Sequence, residues 1–363
     1  MSNNAAWIKQ KKQQLSIDAA TDRAPGLDQI VIRNHALAIN PFDWVIQLIP
    51  NATRWITYPF ILGSDLAGEV VAVGSKVSRF KIGDRVLGHA IGTDKDVNSP
   101  AQGGFQNQTV VLERLASPIP SNISFEEAAV VPLGLSTAAC GLFQKDHLGL
   151  QHPSLKPKAS GKTVVIWGGS TSVGSNAIQL AVAAGYEVIT TASPKNFDYV
   201  KQLGASQVFD YNHPAVVTDI IVALDGKACA GALAIGKGSA DYCVKIVHAA
   251  KGNKFVSMAS PGVSLDNGLT PSAMLKFVTT GTSLVIKSKV RGVKTKFIYG
   301  SSLKNNEVST AVYQDYLPAA LSNGSFRPSP SPTVIGTGLK FLQAGLDMQR
   351  KGVSATKIVI KLM

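Results

Sequence analysis

KTVVIWGGSTSVGSNAIQLAVAAG, from Lys162 to Gly185, changes period in its middle. Thr163 to Trp167 is an unbroken run of β-branched and large apolar residues, the pattern of a strand buried on both faces. Gly168 and Gly169 follow, and Ser170, Thr171, Ser172 and Val173 lead to Gly174. Beyond the glycines, Val173, Ala177, Leu180, Ala181 and Ala184 recur at helical spacing, with Gly185 placed as a C-terminal stop. A second strand is predicted at once, from Tyr186 to Thr191. This is a βαβ unit whose tight turn opens a helix, where unpaired backbone N–H groups and the helix dipole favour a pyrophosphate.

Outward from this unit the strand signals continue at Gln207 to Phe209 and at Val222 to Leu224, the latter ending in Asp225. A helix is predicted from Ser239 to Ala250 and a strand from Lys254 to Met258. ACAGALAIGKG, residues 228–238, is unusually rich in Gly and Ala and reads as a turn. Upstream, QIVIRNHALAIN (29–40) is a strand that ends in Asn40-Pro41-Phe42-Asp43-Trp44. In FILGSDLAGEVVAVGSKVSRFKIGDRVLG (60–88), Gly63, Gly68, Gly74 and Gly83 punctuate apolar strands, as in a small, highly turned β-barrel. Residues 91–102 are polar and read as a loop. Ser124 with Glu127 forms a capping box for a helix continuing through Val131 and Pro132 to Ala139. After Lys304 the pattern is a helix over 312–321, a Pro/Ser-rich loop over 327–332, a helix over 338–350 and a strand over 357–360.

Composition narrows the function classes. With 363 residues, 45% hydrophobic and 16% charged, the chain can bury two domain cores, and no apolar run approaches the roughly 18 residues that span a bilayer. MSNNAAWIKQKKQQ lacks the apolar centre of a signal peptide, which makes the cytoplasm the expected location. Three scattered cysteines, Cys140, Cys229 and Cys243, exclude a disulfide framework. The formal charge of +13 is spread along the chain without interleaved aromatics or a nucleic-acid motif, so no nucleic acid partner is expected. Its densest stretch, Lys287, Lys289, Arg291, Lys294 and Lys296, reads either as a solvated face or edge strand, or as a landing site for an anionic cofactor or carrier.

The glycine turn, the NPxD segment at Asn40–Asp43 and the GDRV turn at Gly83–Val86 together resemble the zinc-free branch of the medium-chain dehydrogenase/reductases. That branch holds quinone oxidoreductases, double-bond reductases and fungal trans-acting enoyl reductases; the likeness is close to fungal proteins labelled zinc-binding. It covers nearly the whole chain, although Thr171 and Ser172 replace two family glycines. The fold implied is α/β, a GroES-like β-barrel domain over 1–137 and 305–363 with a Rossmann doubly wound parallel-sheet domain over 138–304. The zinc branch needs a four-cysteine lobe and a Cys/His catalytic set. This chain has neither, reads Gly63-Ser64-Asp65 where zinc enzymes carry GHE, and no metal is expected.

The resemblance places Asn40, Pro41 and Asp43 beside the nicotinamide ribose, although Asn and Asp before a helix also make ordinary N-caps. Thr137 becomes a contact of the carboxamide or substrate, with a buried helix Thr bonding back to a carbonyl as its alternative. Gly168, Gly169, Ser170, Thr171, Ser172, Val173 and Gly174 are expected to hold the pyrophosphate. An NAD enzyme would end the second strand with an acid for the ribose hydroxyls. Here Ser193, Lys195 and Asn196 stand there instead, and Tyr211 matches the place where relatives supply a Tyr. Those groups suit a 2′-phosphate, so NADPH is the expected cofactor. Met258 closes a strand at the carboxyl edge of the sheet, and the backbone of Phe297 and Ile298 is expected to reach the nicotinamide amide. Lys357 matches a basic residue common in the family, or else a solvent-facing Lys beside a strand. The expected chemistry is reduction of an activated C=C bond in an enone, enal or enoyl thioester. An aldehyde or quinone reductase and a nucleotide-binding sensor are the alternatives. Relatives of the mitochondrial enoyl reductase type use a Tyr after the NPxD segment; this chain has Thr53 near that point, with Trp55 and Tyr58 nearby, so Tyr58 and water are candidate proton sources. The substrate is free or thioester-linked, and the protein a monomer or homodimer.

Overall fold

In the computed structural model, which describes residues 3–49, 53–260 and 271–362, the chain divides into two units, Met1–Leu133 with Tyr313–Met363, and Gly134–Val312. The first break falls inside the helix Pro132–Phe143, and the second lies eight residues beyond the 304/305 division read from the sequence.

Six strands of the second unit run parallel in the spatial order Gln207–Asp210, Glu187–Ala192, Lys162–Trp167, Ala228–Ala234, Phe255–Met258, Lys294–Phe297. Numbered along the chain this is the doubly wound order 3-2-1-4-5-6, which reverses direction between Lys162–Trp167 and Ala228–Ala234. Ligands of such sheets bind outside the carboxyl ends of the strands at that reversal. Two readings of this region are corrected. Residues 222–224 end the helix Val216–Ala223 rather than form a strand, and ACAGALA, read as part of a turn, is the central strand. Val216, Ile220 and Leu224, spaced four apart, are buried in one cluster with Ile189, Val244 and Val247, so packing outweighs the strand propensity of their β-branched neighbours. In the strand itself, Cys229, Ala232 and Ala234 are small enough to be covered by the helix Ser239–Ala249.

The basic stretch splits between two elements. Lys287 and Lys289 close the helix Pro271–Val290 at its negative end, while Lys294 and Lys296 lie on the edge strand. Lys287 pairs with Asp241, and Lys296 with Asp146.

The first unit is built on the sheet Ser331–Thr337, Thr356–Lys361, Gln29–Ala38, Asp65–Val73, Arg85–His89, Ala116–Pro118, with Gln108–Leu112 also on Gln29–Ala38. A smaller sheet joins Ser16–Ala19, Asn4–Ile8 and Phe60–Ile61. Of the Pro/Ser-rich segment read as a loop over 327–332, the last two residues begin the edge strand Ser331–Thr337, where Pro332 costs no interior ladder bond. At Gly68 a Cβ would run into the Arg33 carbonyl of the paired strand, so the strands close up only because the residue is glycine. The helix expected to run from Ser124 through Pro132 is two helices, Phe125–Ala129 and Pro132–Phe143; Pro132 lacks the N–H needed to continue the first and starts the second.

Register sets up the chemistry. Val359 lies opposite Ala38, Ala38 opposite Asp65, and Asp65 opposite His89. Facing residues share one side of a sheet and alternate positions return to it. Lys357, Asn40, Asp65 and His89 are therefore carried to one side at one end of the sheet.

Candidate active site

The strand Gln29–Ala38 runs out into Asn40, and Pro41 opens the helix Pro41–Leu48, a position where its fixed φ suits the helix and its missing N–H costs nothing. Asp43 turns back on the cap: the Asn40 N–H donates to Asp43 Oδ2 at 2.8 Å. The Asn40 side chain is used elsewhere. Its Nδ2 donates to Asp65 Oδ2 at 2.8 Å, and its Oδ1 accepts from Lys357 Nζ at 2.5 Å. Lys357 Nζ also lies 2.8 Å from Asp65 Oδ2, and Asp65 Oδ1 accepts the Leu133 N–H at 2.6 Å. Asp65 is 0% and Lys357 4% exposed. Buried charges are tolerated only when paired and fully hydrogen-bonded, which is the condition met here.

Burial pushes the Asp43 carboxyl up to about 7, against the Asn40 and Gly63 backbone donors that favour the anion. It holds its proton below neutral pH. Burial pushes His89 down to about 4, with Asp65 and Asp94 opposing, so its ring is neutral at physiological pH. Among the described residues, His89 Nδ1, Thr53 Oγ1 and the Tyr58 hydroxyl are buried without a hydrogen-bond partner. Burial also raises the Tyr58 phenol.

In the second unit, Thr171 caps the helix Ser172–Ala183. Its Oγ1 accepts the Gly174 N–H at 3.0 Å and donates to the Gly168 carbonyl at 2.8 Å. Thr171 thus works on its own turn, where the family pattern has glycine. Gly168 has φ +89°, and the turn is tied to the next strand by Gly168 N–H to Thr191 Oγ1 at 3.0 Å and Gly169 N–H to the Thr191 carbonyl at 2.8 Å. A Cβ at Gly174 would run into the Gly168 carbonyl oxygen, so helix and turn meet backbone to backbone. First-turn N–H groups have no carbonyl within their own helix to accept them, and those of half-buried Ser172 and Val173 stand at its positive end. The turn fits a pyrophosphate.

One strand over, Ser193 Oγ and the Tyr211 hydroxyl are 3.2 Å apart, and Lys195 is exposed two residues on from Ser193. Asn196 is buried at the start of the following helix. Glu187 sits at the opposite end of its strand, where it accepts from Lys227 Nζ at 2.6 Å and Thr163 Oγ1 at 2.7 Å. Met258 faces Phe297 across the last two strands, and the Ile298 N–H is committed to the Met258 carbonyl at 2.9 Å.

The structure thus brings together Asn40, Asp43 and Lys357 in one unit, and the turn Gly168–Gly174 with Ser193 and Tyr211 in the other. Lys357 is not solvent-facing: its strand lies inside the sheet, and its ammonium is engaged by Asp65 and Asn40. Pro41 is exposed beside the cap, and Tyr58 lies on the segment after the helix. Thr137 is 9% exposed in the helix Pro132–Phe143. Sequence reading missed Asp65 and His89 as site residues. The signal was their position, since Asp65 begins one strand and His89 ends its neighbour. Among the described residues no three His, Cys, Asp or Glu side chains are grouped to hold a metal ion. The three cysteines are buried and their thiols pushed up by burial, which disfavours the thiolate a metal needs.

Residues 26–121 match the alcohol dehydrogenase GroES-like domain. The chain is 49% identical to dehydrogenase pigH of Monascus ruber, over 99% of this chain and 100% of that one. It is 39% identical to trans-enoyl reductase himH of Aspergillus japonicus, over 99% and 97%. Among solved structures, CurK enoyl reductase matches with a TM-score of 0.74 over 100% of both chains at 18% identity, a likeness of fold. Among the described residues no helix is long and apolar enough to cross a membrane. With its barrel unit, its doubly wound sheet and these relatives, the chain belongs to the medium-chain dehydrogenase/reductases, as an oxidoreductase of nicotinamide dinucleotides related to fungal dehydrogenases and trans-enoyl reductases.

Proposed function

We propose that this protein is an NADPH-dependent reductase of an activated C=C bond, in an enone, enal or enoyl thioester, that works without zinc. The observation that carries the reading is the Lys357–Asp65–Asn40 cluster. The cation at the end of the barrel sheet is an ammonium already matched by a carboxylate. Such a cluster orients the Asn40–Asp43 turn but cannot acidify an alcohol as a Lewis acid does, so a polarised acceptor suits it better. The name of the himH relative, a trans-enoyl reductase, supports the same class.

When bound, the dihydronicotinamide supplies a hydride. The turn Gly168–Gly174 would hold the pyrophosphate, and Ser193, Tyr211, Lys195 and Asn196 the 2′-phosphate. Two charge-assisted bonds of roughly 1.5–3 kcal/mol each favour NADPH over NADH by at least ten- to a hundredfold. Met258, Phe297 and Ile298 would border the nicotinamide side; the Met258 carbonyl already accepts the Ile298 N–H, so the backbone of Phe297 and Ile298 would serve the nicotinamide amide. Thr137 offers a hydroxyl to the carboxamide or the acceptor oxygen. Asp43 fixes the cap that presents Asn40 and Pro41. Tyr58 keeps its phenolic proton and, with water, is the proton source for the carbon next to the carbonyl.

The test is consumption of NADPH, against NADH, with trans-2-hexenal in the presence of a chelator, with the product identified. Saturated hexanal and an NADPH preference are expected. The allylic alcohol would overturn the reading in favour of an aldehyde reductase. Tight NADPH binding with no turnover of free or thioester-linked enoyl substrates would leave a nucleotide-binding sensor.

A further inference from the structure

The glycine turn is held from the side by one residue of the next strand. Gly168 N–H donates to Thr191 Oγ1 and Gly169 N–H to the Thr191 carbonyl, at 3.0 and 2.8 Å. Thr191 is fully buried, one residue before the end of the strand Glu187–Ala192. That strand and Lys162–Trp167 are parallel neighbours, so both bonds prolong their ladder past its last paired residues, Ile166 and Thr190. Ladder bonds run from strand to strand within the sheet. These two N–H groups therefore point sideways, not out past the carboxyl ends where a ligand sits.

The remaining donors of the turn sort in the same way. Thr171 N–H donates back to the Gly168 carbonyl at 3.1 Å, and Thr171 Oγ1 takes the Gly174 N–H. Among the described residues, the Ser170 and Val173 N–H groups have no acceptor. They are among the donors left for an anion, and their direction depends on where Gly168 and Gly169 are pinned. Gly168, at φ +89°, has the backbone freedom of a residue without Cβ. Its N–H is restrained by a single side-chain atom, Thr191 Oγ1, whereas the Gly169 bond uses backbone alone.

We infer that Thr191 is a positioning residue for the nucleotide: its hydroxyl presets the turn, so that the remaining N–H groups stand ready before the pyrophosphate arrives. The inference rests on the reading of the turn as the pyrophosphate site. Thr191 acts through Gly168 and touches no ligand itself. Ordering done before binding raises affinity, because the ligand no longer bears its cost. Valine has nearly the shape of threonine without the oxygen and leaves the Gly168 N–H without its acceptor. Serine keeps the oxygen.

The test compares variants of the full chain by calorimetric titration with NADPH and with adenosine 2′-phosphate, which lacks the pyrophosphate. Thr191→Val is expected to weaken NADPH roughly five- to a hundredfold, the effect of a buried N–H that loses its partner. Its affinity for adenosine 2′-phosphate should stay at the wild-type value, and Thr191→Ser should restore most of the NADPH affinity. Thr163→Val is the control for stability alone. It deletes a buried hydroxyl bonded to Glu187 at the other end of the same two strands, and should lower the melting temperature with no change in NADPH affinity. Hydrogen exchange without nucleotide gives a second reading. The Gly168 amide should be protected in the wild type and exchange faster in Thr191→Val or Thr191→Ala. Even where neither variant folds, fast exchange at Gly168 in the wild type would overturn the inference. NADPH binding at full strength in Thr191→Val would overturn it too, and leave the cofactor reading standing. So would equal weakening of both ligands, or the same weakening in Thr163→Val, the marks of a general loss of stability. A wild type that binds no nicotinamide dinucleotide would remove the cofactor reading, and the inference with it.

Discussion

Lys357 carries an ammonium into the interior of the barrel sheet, where Asp65 and Asn40 help make it tolerable. Removing one member of such a pair leaves the other charged and unmatched, at a cost of about 3–5 kcal/mol. Lys357→Met should lose stability of that order in urea unfolding, and adding Asp65→Asn should recover part of it. A double-mutant cycle with simply additive losses would show the two residues to be uncoupled. Asn40 and Asp43 were legible in the sequence, because a cap and its return partner lie within one turn of each other. The Asn40–Lys357 bond spans 317 positions and depends on the register between Gln29–Ala38 and Thr356–Lys361, so no local pattern announces it. Asp65 and His89 were hidden for the same reason: each is ordinary on its own strand, and only pairing puts them side by side.

At the scale of elements, the strand Lys162–Trp167, its glycine turn and the helix Ser172–Ala183 were readable because period, turn chemistry and burial agree. Across residues 216–234 they disagree. VVTDIIVA is β-branched yet helical, and ACAGALA is small and flexible yet forms the central strand. Both outcomes are set by the covering layer, which rewards a large apolar stripe in the helix and small residues in the strand beneath. The glycine turn invites a test at this scale. Gly174→Ala forces the helix away from the Gly168 carbonyl and should cost about 1–3 kcal/mol by overpacking, measured by thermal melting. Nucleotide affinity should fall with it, at least tenfold in a fluorescence titration. Unchanged affinity would mean that the close approach does not shape the phosphate site.

For the whole molecule, buried titratable groups set how stability follows pH. Burial lowers the folded-state values of His89 and His147 to about 4, and lowers that of His35. Unfolded histidines take up protons near 6.5, so these three favour folding at neutral pH and lose that contribution as pH falls below about 6.5, His89 and His147 on the way toward 4. Asp43 acts the other way: its raised value, about 7, gives stability that is present at low pH and lost as pH rises through 7. Three groups against one make stability climb with pH between about 5 and 6.5, seen as a rising urea midpoint at fixed ionic strength. His147→Asn should flatten the climb by at most about 1.4 kcal/mol per pH unit. An unchanged slope would show that His147 is not kept neutral by folding.

The strand Thr356–Lys361 pairs with both Ser331–Thr337 and Gln29–Ala38, yet all of Gly134–Val312 comes between it and the early strands in the chain. A ribosome adding about 5–20 residues per second spends on the order of 10–40 s on that insertion. The nucleotide-binding half can fold from its own contiguous stretch as it emerges. Asp65 and Asn40, made earlier, must wait for Lys357, so the half that is begun first is finished last. On the nascent chain, the unclosed barrel is the surface that a chaperone has to guard.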